Sequence, residues 1–218
     1  MLPEPDVPVK SATLTGGEPG CRSRTAPGEA RRHLFSRPAS STPVKVEVTK
    51  VTRHAIVHGE VGRDGGQIDG VRIKALTSWP DDRGHFAEIF RQDEPVVEGF
   101  EVLQSSLTMT RPGTIKAFHH HLEQDDVFCP VKGAIRIALV DFRVDSPTFG
   151  WANSIFCGDR YLKAVRIPRG VAHGYEVLGQ EEMTMVYYTN RVYNPADEFR
   201  VKWNDPEVGF TWWGIDFR

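Results

Sequence analysis

Short strand-like segments follow one another along most of the chain, and this succession is the feature that most constrains its fold. Gly, Pro, Asp or Asn separates each segment from the next, so the breaks carry turn signals. Many short strands at this spacing predict an all-β sandwich or barrel. Between the strands, Asp93–Gly99 is expected to form a single helical turn. The predicted strands are Val71–Leu76, His85–Arg91, Glu101–Thr110, Thr114–His121, Asp126–Val131, Ala134–Arg143, Trp151–Cys157, Tyr161–Ile167, Gly174–Leu178 and Thr184–Thr189.

The composition changes along the 218 residues and divides the chain into three regions. Residues 1–43 hold seven of the fifteen prolines and almost no apolar periodicity, so we expect a disordered leader. No apolar segment follows Met1, and we therefore expect no signal peptide. Residues 44–68 begin with alternating apolar and polar residues and become glycine-rich, which predicts an N-terminal strand and a linker. Residues 69–218 are predicted to form the main β domain.

Charge and cysteine content disfavour several classes of protein. A formal net charge of −2 with 26% charged residues argues against a dedicated nucleic-acid binder. The three cysteines, Cys21, Cys129 and Cys157, are odd in number and have no metal-binding spacing, which is unlike a disulfide scaffold. No segment approaches the roughly 18 apolar residues that a membrane-spanning helix needs. We therefore expect a cytoplasmic protein that binds neither nucleic acid nor membrane.

Three consecutive histidines stand inside the segment Gly113–Gly133, between an alternating lead-in and two acids. Side chains alternate faces along an extended strand, so His119 and His121 share one face and His120 lies on the other. Two neighbouring imidazoles on one face make either a proton-transfer pair or half of a metal site. The residues leave both possibilities open, and His120 is expected to be structural.

A second histidine motif lies in Ile167–Tyr175, where turn residues precede His173 and a strand pattern follows it. Its pattern is Pro-x-Gly-x-x-His, and the first segment has His119-x-His121 followed after four residues by Asp126. The two segments together resemble the paired motifs of cupins, which are double-sheet jelly rolls. The resemblance implies an all-β cupin fold, a double-stranded β-helix or jelly-roll barrel, for residues 69–218.

Six motifs, two of which overlap these histidine segments, resemble one cupin branch, the dTDP-4-dehydrorhamnose 3,5-epimerase family. They occur in the family's order and with compatible spacing, over roughly Asp69 to Trp213. Several such motifs in order are far more specific than any single one. The motifs are Asp81–Glu88, Gln104–Ser106, Lys116–His119, Asp141–Gly150, Ile167–Tyr175, and Tyr193–Glu198 with Trp203–Pro206.

The resemblance implies a sugar-nucleotide 3,5-epimerase-like isomerase that acts on a dTDP-4-keto-6-deoxyhexose without a cofactor. Such an enzyme removes a proton next to a keto group, forms an enolate and returns a proton to the opposite face. A histidine suits the base and a tyrosine suits the acid. By position, the base corresponds to His119 and the acid to Tyr187, while His173 corresponds to a group that polarises the keto oxygen.

The resemblance also implies a nucleotide-sugar site shared between subunits. Lys116 stands at an arginine position of the family and is expected to hold the diphosphate as a point charge. Some of the residues that contact the nucleotide come from the neighbouring subunit in the family, so we expect a homodimer. The residues at those nucleotide-binding positions are Arg83, Phe86, Glu88 and Gln104.

Departures from the family pattern leave other functions open. Asp126 stands at the position of a family lysine that stabilises the enolate, and His121 stands at a glutamine position. The family also pairs its base with an aspartate near the C-terminus. After Trp213, the only acidic residue in this chain is Asp216. A non-catalytic sugar-nucleotide-binding cupin is one alternative. Another is a metal-dependent cupin, in which Zn, Fe, Mn or Ni is bound by His119, His121, Asp126 and His173.

Overall fold

The computed structural model describes residues 48–58 and 66–212 of the chain. All described residues belong to one compact unit, Lys45–Arg218. The predicted leader at 1–43 and the C-terminal residue Asp216 lie outside the described residues, as does part of the predicted linker. The described part of the chain contains no helix with the length and apolar character needed to cross a bilayer.

Strands make up nearly all of the regular structure. The described residues contain thirteen strands and two single-turn 3-10 helices, at Pro95–Val97 and Pro195–Asp197. The strands are β1 Arg53–Ile56, β2 Arg72–Ala75, β3 Ser78–Asp81, β4 Gly84–Ala87, β5 Gln104–Thr110, β6 Ile115–His120, β7 Asp126–Lys132, β8 Ala134–Asp141, β9 Trp151–Gly158, β10 Lys163–Ile167, β11 Val171–Leu178, β12 Met183–Thr189 and β13 Phe199–Arg200.

The larger strands form two sheets. The six-stranded sheet has the order β1-β9-β8-β11-β6-β13, and the five-stranded sheet has the order β2-β10-β7-β12-β5. Every pairing is antiparallel except that of β1 with β9. Strands β3 and β4 form a separate hairpin. This arrangement confirms the predicted all-β, double-sheet architecture.

The main core lies between the two sheets. Alternate residues of β8, such as Ile135, Ile137 and Leu139, pack there against Val165 and Met185 from the five-stranded sheet. Ala138 and Val140 of β8 pack into a second cluster on the other face of their sheet. Because both faces are covered, β8 is buried almost throughout and its sequence is nearly continuously apolar.

The turn between β7 and β8 depends on a glycine. Gly133 has a φ of +71°, and a Cβ placed on it would lie 2.9 Å from the carbonyl oxygen of Glu182. A residue with a side chain would therefore meet both backbone strain and a neighbouring backbone. The sequence motif that ends at Gly133 thus marks the point where the chain leaves one sheet and enters the other.

A buried aspartate ties together the loop after β8. Asp141 is 0% exposed and accepts hydrogen bonds from Arg143 Nε at 2.8 Å, Ser146 Oγ at 2.6 Å and Thr148 Oγ1 at 2.6 Å. Burial opposes its ionisation, yet the hydrogen bonds from Arg143, Ser146 and Thr148 lower the pKa of Asp141. The motif Asp141–Gly150 therefore stabilises the loop after β8, and its residues do not line the cavity described below.

Every strand predicted between residues 71 and 189 overlaps an observed one, with shifted ends. The predicted turn at Asp93–Gly99 is confirmed by the 3-10 helix at Pro95–Val97. Within the predicted strand at 44–58, the described residues form a strand only at Arg53–Ile56. The sequence did not indicate β3 or β13, because β3 is fully exposed and contains a proline, and β13 has only two residues.

Candidate active site

A cavity of about 440 Å³ opens between the two sheets. Its size is within the range of small-molecule sites. Strands β6, β11 and β13 line it from the six-stranded sheet, and β5, β7 and β12 line it from the five-stranded sheet. The lining includes Gln104, Lys116, His119, His121, Asp126, Tyr187, Tyr193 and Arg200.

The strand register brings the two predicted histidine motifs together. His119 on β6 lies directly opposite His173 on β11, and their ring centroids are 4.1 Å apart. The centroid of His121 lies 5.6 Å from that of His119. Gly174 permits this close pairing, because a Cβ there would lie 2.5 Å from the carbonyl oxygen of Lys116. The predicted meeting of the histidines inside the barrel is confirmed by these distances.

His120 points away from this cluster, as the strand alternation predicted. Its ring stacks on Phe199, with centroids 5.2 Å apart, and its edge meets Phe142. Burial, followed by the nearby His173 and His121, lowers the pKa of His120 to about 4. A neutral, buried ring packed among aromatic residues has the structural role expected for His120.

Tyr187 lies on the opposite wall from His119. It sits on β12 of the five-stranded sheet and lines the same cavity. Phe128 packs against both Tyr187 and His173, with ring centroids 6.0 and 5.4 Å away. The cavity is therefore lined by the imidazole of His119 on one sheet and by the phenol of Tyr187 on the other, and the ring of Phe128 also lines it.

Burial controls the charge of His119. Desolvation, with smaller contributions from His173, His121 and Arg200, lowers the pKa of His119 to about 2. The ring is therefore neutral near pH 7 and keeps a nitrogen lone pair for accepting a proton. Among the described residues, no carboxylate forms an ion pair with His119, whereas Asp126 pairs with His121 and His173.

His173 is placed differently from the expected keto-polarising group. It is buried beside His119 and is not among the residues that line the cavity. Its Nδ1 lies 2.9 Å from the carbonyl oxygen of Val171, and its Nε2 lies 3.2 Å from Oδ2 of Asp126. His173 thus contacts the cavity-lining residues His119 and Asp126, and its role in polarising a keto oxygen stays a prediction.

Asp126 is the first residue of β7, and its side chain approaches His121 and His173 from the five-stranded sheet. Its Oδ1 accepts a hydrogen bond from Gln124 Nε2 at 2.9 Å. Its Oδ2 lies 3.8 Å from Nε2 of His121 in addition to its approach to His173. Asp126 stands where the family carries a lysine, and the structure directs its carboxylate toward two imidazoles.

A group at the rim was missed by the sequence analysis. Arg200 on β13 lines the cavity and pairs with Glu198 at 2.7 Å, and Tyr193 Oη donates to the same carboxylate at 3.1 Å. Gln104 Oε1 accepts a hydrogen bond from Tyr193 N at 2.9 Å, so this side chain also holds the rim loop. Glu198 belongs to a motif already noted, but the two-residue strand β13 was not predicted, so no local pattern pointed to Arg200.

The remaining predicted nucleotide contacts lie outside this cavity within the chain. Arg83 and Phe86 are on the β3–β4 hairpin, and Glu88 follows it. Phe86 is 64% exposed and stacks on Trp79, with ring centroids 5.8 Å apart. The structure therefore does not bring these residues to His119, and their role in binding a nucleotide stays a prediction.

Comparison with known proteins identifies the family. The family model for dTDP-4-dehydrorhamnose 3,5-epimerase matches residues 66–218, which include every described strand except β1 and all residues that line the cavity. The chain belongs to this family. Its members are isomerases, so the predicted family and enzyme class are confirmed.

Curated relatives match about two thirds of the chain. The spore coat polysaccharide biosynthesis protein SpsL of Bacillus subtilis is 44% identical over 153 residues, which is 69% of this chain and 99% of SpsL. The probable low-salt glycan biosynthesis epimerase Agl13 of Haloferax volcanii is 34% identical over 148 residues, 66% of this chain and 94% of Agl13. Almost the whole length of both relatives is therefore matched by this chain.

Solved structures of the family share the fold. An epimerase from Legionella pneumophila, solved with dTDP-4-keto-L-rhamnose, has a TM-score of 0.62 and 26% identity over 67% of this chain and 80% of its own. The 4-keto-6-deoxy sugar epimerase NovW from Streptomyces spheroides has a TM-score of 0.62 and 28% identity over 66% of this chain and 75% of its own. The sheet architecture is therefore that of the family's epimerases.

Proposed function

We propose that this protein epimerises a dTDP-linked 4-keto-6-deoxyhexose at a carbon next to the keto group. The observation that carries the proposal is the position of His119 and Tyr187 on opposite sheets around one cavity. An imidazole and a phenol on opposite sides of a sugar ring suit removal of a proton from one face and its return to the other. Membership of the family supports the same reaction.

His119 acts as the base in this proposal. Its neutral ring accepts the proton from the carbon next to the keto group, and the electron pair of the broken C–H bond moves to the keto oxygen. The negative enolate then favours the imidazolium that has formed beside it. Tyr187 donates its hydroxyl proton to the opposite face of the carbon, and both side chains exchange protons with solvent before the next cycle.

Positive side chains at the cavity support binding of a diphosphate. Lys116 and Arg200 both line it, and Lys116 Nζ lies 3.4 Å from Thr108 Oγ1 with its charge exposed. The complex of the Legionella epimerase with dTDP-4-keto-L-rhamnose supports a thymidine diphosphate sugar as the ligand class. In this assignment Lys116 contacts the diphosphate and takes no part in the proton transfers.

Lys116→Ala is expected to raise KM for the nucleotide sugar by about 10-fold and to leave kcat nearly unchanged. A hydrogen bond to a charged group contributes roughly 1.5–3 kcal/mol, and solvent exposure places this one at the lower end. Steady-state kinetics measure the effect. Lys132→Ala, at an exposed lysine at the far end of β7, is the matched control and should behave as wild type. A fall in kcat with unchanged KM would contradict the assignment.

A homodimer completes the proposed site. Trp79 and Phe86 form a stacked, exposed aromatic pair on the β3–β4 hairpin, and such pairs are enriched at protein interfaces. We place this hairpin against the partner subunit, so that Arg83, Phe86 and Glu88 contribute to the partner's nucleotide site. Size-exclusion chromatography with light scattering tests the dimer, and a monomer at micromolar concentration would oppose it.

A reducing cytoplasm is the proposed location. Cys129 and Cys157 are buried free thiols, and desolvation by burial raises the pKa of each to about 12. Neither thiol is exposed or activated, which suits a protein that is not stabilised by disulfides.

Proton exchange with solvent tests the reaction directly. The purified protein is incubated in heavy water with dTDP-4-keto-6-deoxyglucose, and NMR follows the sugar protons. We expect deuterium to enter at carbon 3, carbon 5 or both, because each abstracted proton is replaced from solvent. Binding of the nucleotide sugar without deuterium uptake would favour the non-catalytic sugar-binding alternative over epimerisation.

A further inference from the structure

Arg200 and Lys116 are the permanently positive side chains among the described residues that line the cavity. Removal of a proton next to a keto group leaves negative charge on the keto oxygen, which a positive hydrogen-bond donor stabilises. We propose, on the basis of the proposed function, that the guanidinium of Arg200 binds the keto oxygen and stabilises the enolate. An oxyanion accepts more than one hydrogen bond, so this role adds to the one predicted for His173.

Strand pairing places Arg200 beside the base. Arg200 of β13 pairs with His119 of β6, and Phe199 pairs with His120. The rings of Phe199 and His120 stack on one face of the sheet, so side-chain alternation puts Arg200 and His119 together on the other face. Directly opposed residues of an antiparallel pair have Cβ atoms about 4.5–5.5 Å apart. The side chain of Arg200 therefore begins next to that of His119, and both line the cavity.

Backbone hydrogen bonds hold β13 against β6. Phe118 N donates to the carbonyl oxygen of Val201 at 2.8 Å, and Val201 N donates to that of Phe118 at 3.0 Å. These bonds lie next to the pairing of Arg200 with His119. The sheet itself therefore sets the distance between the cation and the base, which a catalytic arrangement requires.

Glu198 orients the guanidinium of Arg200. Oε1 of Glu198 accepts hydrogen bonds from Nε of Arg200 at 3.1 Å and from Nη2 at 2.7 Å, and Oε2 accepts one from Tyr193 Oη at 3.1 Å. Within the described part of the chain, these bonds leave Nη1 available for a ligand. A donor that is already oriented needs little reorganisation when charge develops on the ligand.

The strand register separates Arg200 from Lys116. Lys116 lies three residues before His119 on β6 and pairs with Tyr175 of β11, so roughly 7–10 Å of strand separate the two levels. The keto carbon is bonded to the carbon that loses its proton, so the keto oxygen lies near His119. In a 4-keto hexose the diphosphate is attached at carbon 1, across the ring from the keto group. Lys116 is therefore placed for the diphosphate and Arg200 for the keto oxygen.

The positive charge of Arg200 acts on His119 in the free protein. Desolvation is the main cause that lowers the pKa of His119, and the charge of Arg200 is one of the smaller causes. The field of the guanidinium therefore reaches the ring of the base. The same field favours negative charge on a substrate that lies against this ring.

Arg200→Ala is expected to lower kcat by about 10²–10³-fold and to leave KM nearly unchanged, as loss of a donor to a developing oxyanion does. Deuterium uptake into the sugar should fall by the same factor, because the enolate forms before exchange. Arg200→Lys keeps the charge without the fork and should retain more activity than Arg200→Ala. Arg191→Ala is the matched control and should behave as wild type, because Arg191 is exposed and does not line the cavity.

Chemical rescue distinguishes the charge of Arg200 from a structural role. The side chain is 76% exposed, so a guanidinium ion from solvent can enter the space that Arg200→Ala leaves. Guanidinium chloride, far below the concentrations that unfold a domain, should restore part of kcat and of deuterium uptake to Arg200→Ala. Urea has a similar shape without the charge and should restore neither. His119→Asn should gain nothing from guanidinium, because it lacks the base.

Three results would overturn the role of Arg200. These are unchanged kinetics in Arg200→Ala, a raised KM with unchanged kcat, which would assign Arg200 to the diphosphate, or a loss of kcat that guanidinium restores no better than urea. Circular dichroism establishes that each variant is folded. If wild type binds the nucleotide sugar without deuterium uptake, the proposed function and the role of Arg200 fail together. If wild type and Arg200→Ala exchange protons equally fast, the role of Arg200 fails and the proposed function stands.

Discussion

Replacing His119 with Asn is expected to reduce the rate of epimerisation by about 10²–10⁴-fold, the usual contribution of a general base. Asparagine is close to histidine in size but cannot accept the proton from the carbon next to the keto group. Deuterium uptake into the sugar, measured by NMR, should fall by the same factor as turnover. Binding of the nucleotide sugar should persist, because Lys116 and the rim residues remain in place.

His58→Asn is the matched control for this substitution. His58 is exposed and does not line the cavity, so the change should leave both turnover and deuterium uptake as in wild type. If His119→Asn kept more than about one tenth of wild-type turnover, His119 would not be the base. If wild type also failed to exchange protons while binding the nucleotide sugar, the protein would be a binding member of the family.

Replacing Asp141 with Ala is expected to lower the free energy of unfolding by about 3–5 kcal/mol, the usual cost of breaking a buried charge pair. The substitution removes the acceptor for Arg143, Ser146 and Thr148 together. For a domain of this size, each kcal/mol lowers Tm by roughly 2–4 °C, so calorimetry should detect a fall of about 6–20 °C. Asp145→Ala, at an exposed neighbour, should change Tm little.

The dependence on pH provides a second test of Asp141. The folded protein lowers the pKa of this carboxyl below its ordinary 3.8, so the unfolded chain binds the proton more readily. The stabilisation is therefore present above pH 3.8 and is lost as the pH falls through the folded-state pKa. The difference in unfolding free energy between wild type and Asp141→Ala should shrink in acid. A difference that stays constant would mean that packing alone accounts for the effect.

Motif resemblance identified the family correctly, but it did not separate cavity-lining residues from residues that stabilise the fold. The segment around Asp141 and the segment around His119 both resemble family signatures. In the structure, the first segment forms a loop that is hydrogen-bonded to the buried carboxylate of Asp141, and the second segment lines the cavity. A sequence motif gives only the types and the order of its residues. Their burial and hydrogen-bond partners, which distinguish the Asp141 loop from the cavity wall, come from the structure.

The sequence by itself determined the class of fold and the faces of the histidines. Strand alternation is a local property with a period of two residues, so it placed His119 and His121 together and His120 apart. The turn glycines and prolines likewise delimited most strands, because backbone restrictions act over a few residues. The family motifs added Tyr187 as the partner on the other wall, and the structure places it in the same cavity.

Only the tertiary structure decided which distant side chains meet. Asp126 turns toward His173, Arg200 joins the cavity through a two-residue strand, and Phe86 lies on an exposed hairpin. These placements depend on the pairing of β7 with β10 and β12, and of β6 with β11 and β13. Such pairings arise from the packing of two whole sheets, and no local pattern of residue types encodes them.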